Sequence, residues 1–341
     1  MIPHHFGYKR YFSLNEYCKQ TFGDKVYRLS LNGGMTCPNR DGSLGVGGCT
    51  FCSEGGSGDF AACYDISIAN QISEAKARIQ QKTDCNKFIA YFQAYTNTYA
   101  PVEHLKRIYT EALSEPDVVA LSIGTRCDCL NNEVLALLEE LAHKEFPVIR
   151  DGVTSTQTKQ IWIELGLQTI HNETHARLNT HTTVALFDTA VANLQAINIP
   201  VIAHVILGLP DETKEMMLET VSHVSTLPVA GIKLQLLHIL KGTKLASEYE
   251  AEPFSLFTLE EYCDFVIDCL EILPPNMVVH RLTGDGPRKL LIAPLWSTDK
   301  KRVLNTINRE LKERNTWQGR LFLSKKQLNF FDFHFMIKNT K

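Results

Sequence analysis

The sequence lacks any long apolar run. Nothing in its 341 residues approaches the roughly 18 consecutive apolar residues of a membrane helix, and the opening stretch MIPHHFGYKRYFSLNEYCK lacks the apolar core of a secretory signal. We therefore expect no membrane contact and a cytoplasmic location. In that compartment, the ten cysteines are expected to be metal ligands, redox groups or core residues rather than disulfides.

Internal repeats and low-complexity tracts are also missing, so the length suits one large domain or two smaller ones. Short apolar runs instead alternate with segments of helical periodicity. Six runs are predicted to be strands, at residues 26–31, 88–92, 118–123, 161–167, 201–207 and 232–237. Buried strands separated by helices indicate a parallel sheet, either open or closed into a barrel. In both forms the chemistry lies beyond the carboxyl ends of the strands.

A glycine-rich segment, residues 33–59, follows the first predicted strand and holds three cysteines. Cys37, Cys49 and Cys52 have the spacing C-x11-C-x2-C, and the glycines let the backbone bend around a bulky group. Zinc normally takes four ligands, and Cys63 is a candidate for the fourth. An iron–sulfur cluster on three thiolates needs no fourth ligand and leaves one iron open. The spacing is not that of a zinc ribbon, which pairs two C-x2-C units, so it favours the cluster.

Several motifs resemble those of YhcC-type radical S-adenosylmethionine (SAM) proteins, which are similar to the radical SAM core of the Elongator catalytic subunit. The cysteine segment carries two of them, GGMTCPNRDG at 33–42 and GGCTFC at 47–52. The others are spread over most of the chain: YFQAYT at 91–96, GTR at 124–126, ELGLQT at 164–169, GLP at 208–210, GIKL at 231–234 and LH at 237–238.

The resemblance implies a partial (β/α)6 barrel of the TIM type, open on one side, with an α/β cap. Residues 1–251 would form the radical SAM core, with an N-terminal extension and the cysteine segment, and residues 252–341 a basic C-terminal cap. The three cysteines would bind three irons of a [4Fe–4S] cluster and SAM the fourth. One electron, from a donor of the flavodoxin or ferredoxin type, would split SAM into methionine and a 5′-deoxyadenosyl radical that abstracts a substrate hydrogen.

The resemblance also assigns residues to the SAM pocket. Phe51 lies between two ligands and is predicted to cover the cluster and pack on the adenine. Gly208 ends the fifth strand, where its backbone would approach the adenine or simply make a tight turn. Glu164 and Gln168 would bond the ribose or the methionine part of SAM; a purely structural pairing is the alternative for Glu164.

Other candidates are polar residues on or beside apolar strands. Lys233 is surrounded by apolar residues, where an unpaired ammonium is costly, so it is expected to meet a carboxylate of SAM or of the protein. Gln93, Tyr95 and Arg126 lie at strand ends and are predicted to line the pocket. Cys127 and Cys129 follow the third strand, and a second cluster or a redox pair is an open alternative for these two residues.

Positive charge is concentrated at the C-terminal end. Residues 288–341 hold 13 Lys and Arg against 4 Asp and Glu, a net charge of +9, whereas residues 1–287 carry a net charge of −12. A basic segment on an acidic body favours a polyanionic partner. We expect RNA, with tRNA modification as the function, and no DNA; a solvated basic helix is the alternative.

Two other functions remain open at this stage. A non-catalytic iron–sulfur protein would bind RNA or transfer electrons without cleaving SAM, and a zinc scaffold would bind no iron. The Thr-, Ser- and Gln-rich segment 147–160 is longer than the family leads us to expect. It is predicted to be a loop on the face opposite the cysteines.

Overall fold

A computed structural model describes residues 2–322 except 57, 60, 62, 63, 65, 151 and 285. The strands are β1 Tyr27–Leu31, β2 Phe88–Phe92, β3 Val118–Thr125, β4 Glu145–Arg150, β5 Val153–Thr158, β6 Gln160–Gln168, β7 Val201–Leu207, β8 Gly231–Leu236, β9 Ile239–Leu240, β10 Val278–Arg281 and β11 Leu291–Ala293. The α-helices are α1 Leu14–Phe22, α2 Ile68–Gln80, α3 Val102–Ser114, α4 Asn132–His143, α5 Asn172–Arg177, α6 Val184–Ala196, α7 Lys214–Thr226, α8 Lys244–Ala251, α9 Leu259–Ile272 and α10 Lys300–Glu313.

Seven parallel strands form one sheet in the order β1-β2-β3-β6-β7-β8-β10. The six predicted strands correspond to the first six, and β10 adds the seventh. Every residue of β2 is buried, as expected for a strand covered on both faces. The strands curve into a half-barrel with most helices outside it, so the predicted partial barrel is confirmed.

Helix ends follow local sequence signals. The Asn131 side chain accepts a hydrogen bond from the Val134 amide at 2.9 Å, which caps α4. Thr258 and Glu261 form a reciprocal capping box at the start of α9. In the part of the chain described above, no helix is both long enough and apolar enough to cross a membrane.

The interior of the half-barrel is built in layers of inward-facing side chains. The layer nearest the amino ends of the strands is apolar and packs against Leu14, Tyr17 and Phe22 of α1. We call it the apolar floor, and its buried members are Cys18, Ile89, Ala120, Trp162 and Ile202. Because side chains alternate along a strand, the next inward residue lies two positions further on. The floor therefore closes the half-barrel at the amino ends of the strands.

The segment 147–160 was predicted to be a loop, and that prediction is wrong. It forms most of an antiparallel hairpin, in which β4 pairs with β5 over Glu145–Arg150 and Val153–Thr158. Phe146 and Val148 are 2% and 3% exposed and anchor it to the protein, while β5 is mostly exposed. Alternation of apolar and polar residues, together with β-branched Thr and Val, favoured strands over a loop.

The C-terminal region adds β10 to the sheet and packs α9 and α10 beside it. Cys263, Cys269 and Val303 of these helices belong to the main apolar core. A division of the chain after residue 251 stays a prediction. Residues 323–341, part of the basic segment, lie outside the described residues.

Candidate functional site

A cavity of about 260 Å³ opens inside the half-barrel at the carboxyl ends of the strands. The segment 33–59, here called the cluster loop, forms one wall. Most of the residues predicted from the sequence line this cavity: Cys37, Cys49, Phe51, Cys52, Gln93, Tyr95, Arg126, Glu164, Gln168 and Lys233. Gly208 does not line it. The fold therefore brings together residues that are widely separated in the chain.

Hydrogen bonds hold the C-x2-C part of the cluster loop against the rest of the protein. Thr50, between two of them, donates its amide to the Leu178 carbonyl at 3.0 Å and accepts from the Leu245 amide at 2.9 Å. The Arg40 guanidinium donates to the Cys52 carbonyl at 3.1 Å. Thus the C-x2-C part of the loop is fixed by segments far away in the sequence.

Asn39 is completely buried beside the cysteines. Its side-chain nitrogen donates to the Asn179 carbonyl at 2.6 Å and lies 3.5 Å from the Cys49 sulfur. The Asn39 backbone carbonyl accepts from the Gly48 amide at 2.7 Å. Asn39 therefore holds the loop in shape and also contacts a predicted ligand.

The arrangement of thiols fits a cluster better than a single ion. Among the described residues, no three His, Cys, Asp or Glu side chains are disposed to hold one metal ion. Cys63, a candidate fourth ligand for zinc, lies outside them. A cluster takes one thiolate per iron, so its ligands need only face one cavity, as Cys37, Cys49 and Cys52 do. Burial raises the pKa of the Cys49 thiol to about 12, and ligation would deprotonate it.

Gln168 and Tyr95 have unusual backbone geometry at the cavity. Both are non-glycine residues with positive φ, +69° and +61°. The Gln168 side-chain oxygen is buried and has no hydrogen-bond partner among the described residues, so it is available to accept from a bound molecule. The Tyr95 hydroxyl donates to the Glu54 carbonyl at 2.7 Å. Its ring lies where a Cβ on Gly56 would be, 2.2 Å from Cδ1, so only glycine fits at position 56.

Phe51 and Gly208, the two residues predicted near the adenine, have different surroundings: Phe51 lines the cavity and Gly208 does not. Phe51 packs against an apolar cluster that includes Ile206 and Leu237. Gly208 has a φ of +86° in the turn after β7, next to the Phe257 ring. Gly208 thus makes the tight turn, and the approach of its backbone to the adenine stays a prediction.

Glu164 is the centre of a buried polar network and is 0% exposed. One carboxylate oxygen accepts from the Ser122 hydroxyl at 2.8 Å and lies 3.4 Å from the Arg28 guanidinium. The other accepts from His204 Nε2 at 2.8 Å and from the Lys233 ammonium. The carboxylate that meets Lys233 is thus the protein's own, whereas the sequence had left the choice open.

Each strand of the sheet contributes a side chain to this level, directly above the apolar floor. We call it the polar layer, and its members are Arg28, Tyr91, Ser122, Glu164, His204, Lys233 and Arg281. The layer also reaches across the open side of the half-barrel, because Arg28 on β1 bonds His280 Nδ1 on β10 at 2.9 Å. Sequence reasoning found only Glu164 and Lys233 here.

The pKa values in the polar layer are set by burial and by neighbouring charges. Burial alone would raise the pKa of Glu164, but Lys233 and Arg28 outweigh it and hold that pKa well below its usual range. Burial, followed by the Lys233 charge, lowers the pKa of His204 to about 4, so this imidazole is neutral near pH 7. Burial also lowers the pKa of Lys233. The charges of Arg28 and Arg281 lower it as well, whereas the charge of Glu164 raises it.

The residues that were missed share one sequence signal. Arg28 and His204 each interrupt an apolar strand, as Lys233 does, so the argument applied to Lys233 would have found them; Arg281 is a charged residue at the end of the apolar strand β10. His238 also lines the cavity, with its ring against Gly284 and Gly286. Burial lowers the pKa of His238 to about 4.

Comparison with known proteins agrees with this geometry. Residues 37–224 match the model of the radical SAM superfamily, and residues 229–313 match the model of the radical SAM C-terminal domain. YtqA of Bacillus subtilis is 44% identical over 314 residues, which cover 92% of this chain and 93% of YtqA. YhcC of Escherichia coli is 35% identical over 292 residues, covering 86% of this chain and 89% of YhcC.

One solved structure is similar in fold. Elp3 of the archaeon Methanocaldococcus infernus, with its N-terminus deleted, superposes with a TM-score of 0.63 at 15% sequence identity. The match covers 86% of this chain and 64% of the Elp3 chain. At this identity, the likeness concerns the barrel fold.

Proposed function

The chain belongs to the radical SAM superfamily, as its motifs predicted, and on that premise we propose that it is an enzyme that cleaves SAM with a [4Fe–4S] cluster. Cys37, Cys49 and Cys52 would hold the cluster. The observation that carries the proposal is that these three thiols share one cavity with the unpartnered oxygen of Gln168. When bound, the cluster supplies the electron that splits SAM into methionine and a 5′-deoxyadenosyl radical.

The protein's own residues would orient SAM and exclude water. Gln168 would accept a hydrogen bond from a donor on SAM, such as its ammonium or a ribose hydroxyl. Phe51 would supply an apolar surface for the adenine. The apolar floor shuts the far end of the half-barrel, which protects a reactive intermediate from solvent. Gln93, Tyr95 and Arg126 stay predictions as further SAM contacts.

Glu164 is a less direct candidate for binding SAM. Its two oxygens are occupied by Lys233, His204, Ser122 and Arg28. We therefore propose that Glu164 positions the cations of the polar layer.

The test is SAM cleavage by anaerobically reconstituted protein reduced with dithionite. Wild-type protein should contain iron and sulfide in about equal amounts and should release 5′-deoxyadenosine. Cys49→Ala should lose both the cluster absorbance and the product. Cys85→Ala, which changes a buried cysteine outside the cavity, is the matched control and should keep both.

Three results would contradict the proposal. Equal amounts of 5′-deoxyadenosine from Cys49→Ala and wild type would exclude radical chemistry at this site. A colourless protein with one zinc would support the scaffold function instead. A protein that holds the cluster but never cleaves SAM would support the electron-transfer or RNA-binding alternative.

We further propose that the substrate is RNA, with tRNA modification as the reaction. The support is the net charge of +9 in residues 288–341 and the exposed Lys300, Lys301 and Arg302 at the start of α10. Charged side chains at a helix surface contact phosphates without reading sequence. Arg302 also lies 3.9 Å from Glu260, an exposed pair that contributes little to stability.

RNA binding is tested by its salt dependence. Replacing Lys300, Lys301 and Arg302 with Gln should weaken binding of a tRNA pool and reduce the slope of log K against log salt by about 0.7 to 0.9 per lost phosphate contact. Arg78→Gln on the exposed surface of α2 is the control. An unchanged slope in the triple variant would remove this argument for RNA.

A further inference from the structure

His238 is a polar residue in an otherwise apolar stretch of the cavity wall. Its neighbours in the chain, Leu236, Leu237, Ile239 and Leu240, are all buried. His238 lines the cavity, and its Nε2 atom is buried and has no hydrogen-bond partner among the described residues. A buried nitrogen without a partner is costly, so His238 needs a partner that the described part of the protein does not supply.

Two glycines make room for the His238 ring. A Cβ at Gly284 would lie 2.5 Å from His238 Nε2, and a Cβ at Gly286 would lie 2.5 Å from its Nδ1. A side chain at either position would collide with the ring, so only glycine lets the imidazole lie against this wall. A leucine in place of His238 would continue the apolar stretch without an unpartnered nitrogen. Packing alone therefore does not explain the imidazole.

His238 faces a different wall from the residues proposed to contact the adenine of SAM. The preceding residue, Leu237, packs in one cluster with Phe51 and Ile206. His238 instead lies against the segment that joins β10 to β11, through the two glycines. The wall that holds His238 thus belongs to the C-terminal region, which continues into α10.

The charges near His238 are positive. Burial, followed by the charges of Lys300 and Arg281, lowers the pKa of His238 to about 4, so the imidazole is neutral at pH 7. Lys300 is exposed at the start of α10, among the cations proposed above to contact RNA phosphates. The cavity wall is therefore close to the proposed RNA surface. One nucleotide carries a phosphate suited to the cations and an uncharged base and ribose suited to a neutral imidazole.

We propose that His238 binds the substrate nucleotide of the RNA inside the cavity, through a hydrogen bond between Nε2 and an uncharged group of the base or ribose. The phosphate of that nucleotide would lie at the start of α10, and its base would enter the cavity, as bases do in enzymes that act on them. This assignment rests on the proposed RNA substrate.

The test uses a tRNA pool from cells that lack the protein, so that the substrate nucleotide is unmodified. Its binding to anaerobically reconstituted protein is measured by fluorescence anisotropy at several salt concentrations. His238→Ala should weaken the binding about fivefold, the equivalent of about 1 kcal/mol. The factor should be the same at every salt concentration, because an uncharged contact releases no counterions. The variant of α10 described above should instead change the slope.

Two further variants test whether the hydrogen bond itself matters. His238→Gln places an amide near the position of Nε2 and should retain most of the affinity, whereas the apolar His238→Leu should lose as much as His238→Ala. His143→Ala, which changes an exposed histidine on α4, is the matched control and should bind as wild type does. Circular dichroism checks that each variant is folded, and His238→Leu replaces His238→Ala if the latter is not.

A second measurement separates the RNA from SAM as the partner of His238. Isothermal titration calorimetry with SAM should give the same affinity for His238→Ala and for wild type. Weaker binding of SAM, together with unchanged binding of the tRNA pool, would assign His238 to SAM and refute the proposal.

Three other results would overturn the inference: no saturable binding of the tRNA pool to wild type, equal binding by wild type and His238→Ala, or binding by His238→Gln as weak as that by His238→Leu. The first would also refute the proposed RNA substrate. Release of 5′-deoxyadenosine is measured on the same wild-type preparation. RNA binding that depends on α10 but not on His238 would refute this inference alone, whereas His238-dependent binding without SAM cleavage would support it and refute the proposed radical chemistry.

Discussion

At the scale of single residues, Glu164 carries the only carboxylate among the described members of the polar layer. Its replacement should therefore lower the stability of the protein. Glu164→Gln leaves Lys233 and Arg28 buried without a counter-charge, so the free energy of unfolding should fall by about 3–5 kcal/mol at pH 7. Chemical denaturation measures it. Glu140→Gln, which breaks the exposed pair with Lys106 at 2.8 Å, is the control and should leave the free energy of unfolding nearly unchanged.

The pH dependence of the same variant has a definite sign. Burial, Arg28 and Arg281 lower the pKa of Lys233 in the folded protein, and Glu164 opposes them. Without Glu164 the folded-state pKa falls further below that of the unfolded chain. Between these two values the unfolded state binds more protons, so stability rises with pH. In Glu164→Gln this rise in stability should therefore begin at a lower pH than in wild type; the same onset in both proteins would contradict the pairing.

Asn39 should influence the reduction potential of the proposed cluster. A hydrogen bond to a ligand sulfur stabilises the more negative, reduced state. Asn39→Leu removes the donor 3.5 Å from the Cys49 sulfur and should lower the potential by about 40 mV, the one-electron equivalent of about 1 kcal/mol. A redox titration followed by electron paramagnetic resonance measures it. The exposed Asn70→Leu is the control, and an equal potential in both variants would show that Asn39 acts only on loop shape.

At the scale of elements, the β4–β5 hairpin contributes to stability and lies apart from the chemistry. None of its described residues lines the cavity. Phe146, 2% exposed, attaches it to the core, whereas Val153 in the partner strand is 67% exposed. The hairpin precedes β6 at the amino end of the sheet, the end that usually serves stability in such barrels.

The two hairpin positions should respond differently to truncation. Phe146→Ala should lower the free energy of unfolding by about 3–5 kcal/mol, and Val153→Ala by no more than about 0.5 kcal/mol. Neither should change the amount of 5′-deoxyadenosine formed per folded molecule. A loss of SAM cleavage in folded Phe146→Ala protein would show that the hairpin communicates with the cavity.

At the scale of the whole molecule, the two ends of the described chain are joined to the sheet. The Val279 amide of β10 donates to the Phe12 carbonyl at 2.7 Å. Gln318, 0% exposed, accepts from the Phe12 amide at 2.9 Å and donates to the carbonyls of Pro274 and Met277 at 2.7 and 2.8 Å. One side chain thus links the N-terminal segment, β10 and the region after α10.

This connection predicts a single cooperative unfolding transition. Gln318→Ala removes three hydrogen bonds, to the Phe12 amide and to the carbonyls of Pro274 and Met277, and should cost about 1–3 kcal/mol for each group left unpaired out of reach of water. Differential scanning calorimetry should show one transition that moves to lower temperature as a unit. The exposed Gln20→Ala is the control. Two separate transitions, with only one of them shifted, would show that residues 252–341 unfold as an independent domain.

The sequence by itself determined the strands, the order of strands and helices, and the cysteine motif. These depend on local patterns: buried strands such as β2 are continuous apolar runs, and Cys49 and Cys52 are neighbours in the chain. It also identified Lys233, because a charged residue inside an apolar strand is visible without any partner. The hairpin at residues 145–158 was missed, because a Thr-rich alternating pattern is weak and was interpreted by its polarity alone.

Only the tertiary structure decided which charges meet. Arg28 and His280 are 252 positions apart, and no spacing rule relates residues on the first and last strands of a sheet. Glu164 was chosen as a SAM contact because it belongs to the ELGLQT motif, yet the fold surrounds it with four protein donors and leaves Gln168 with the free acceptor. The physical reason is that local patterns record burial and periodicity, whereas the pairing of buried charges depends on how the strands curve to bring their inward side chains together.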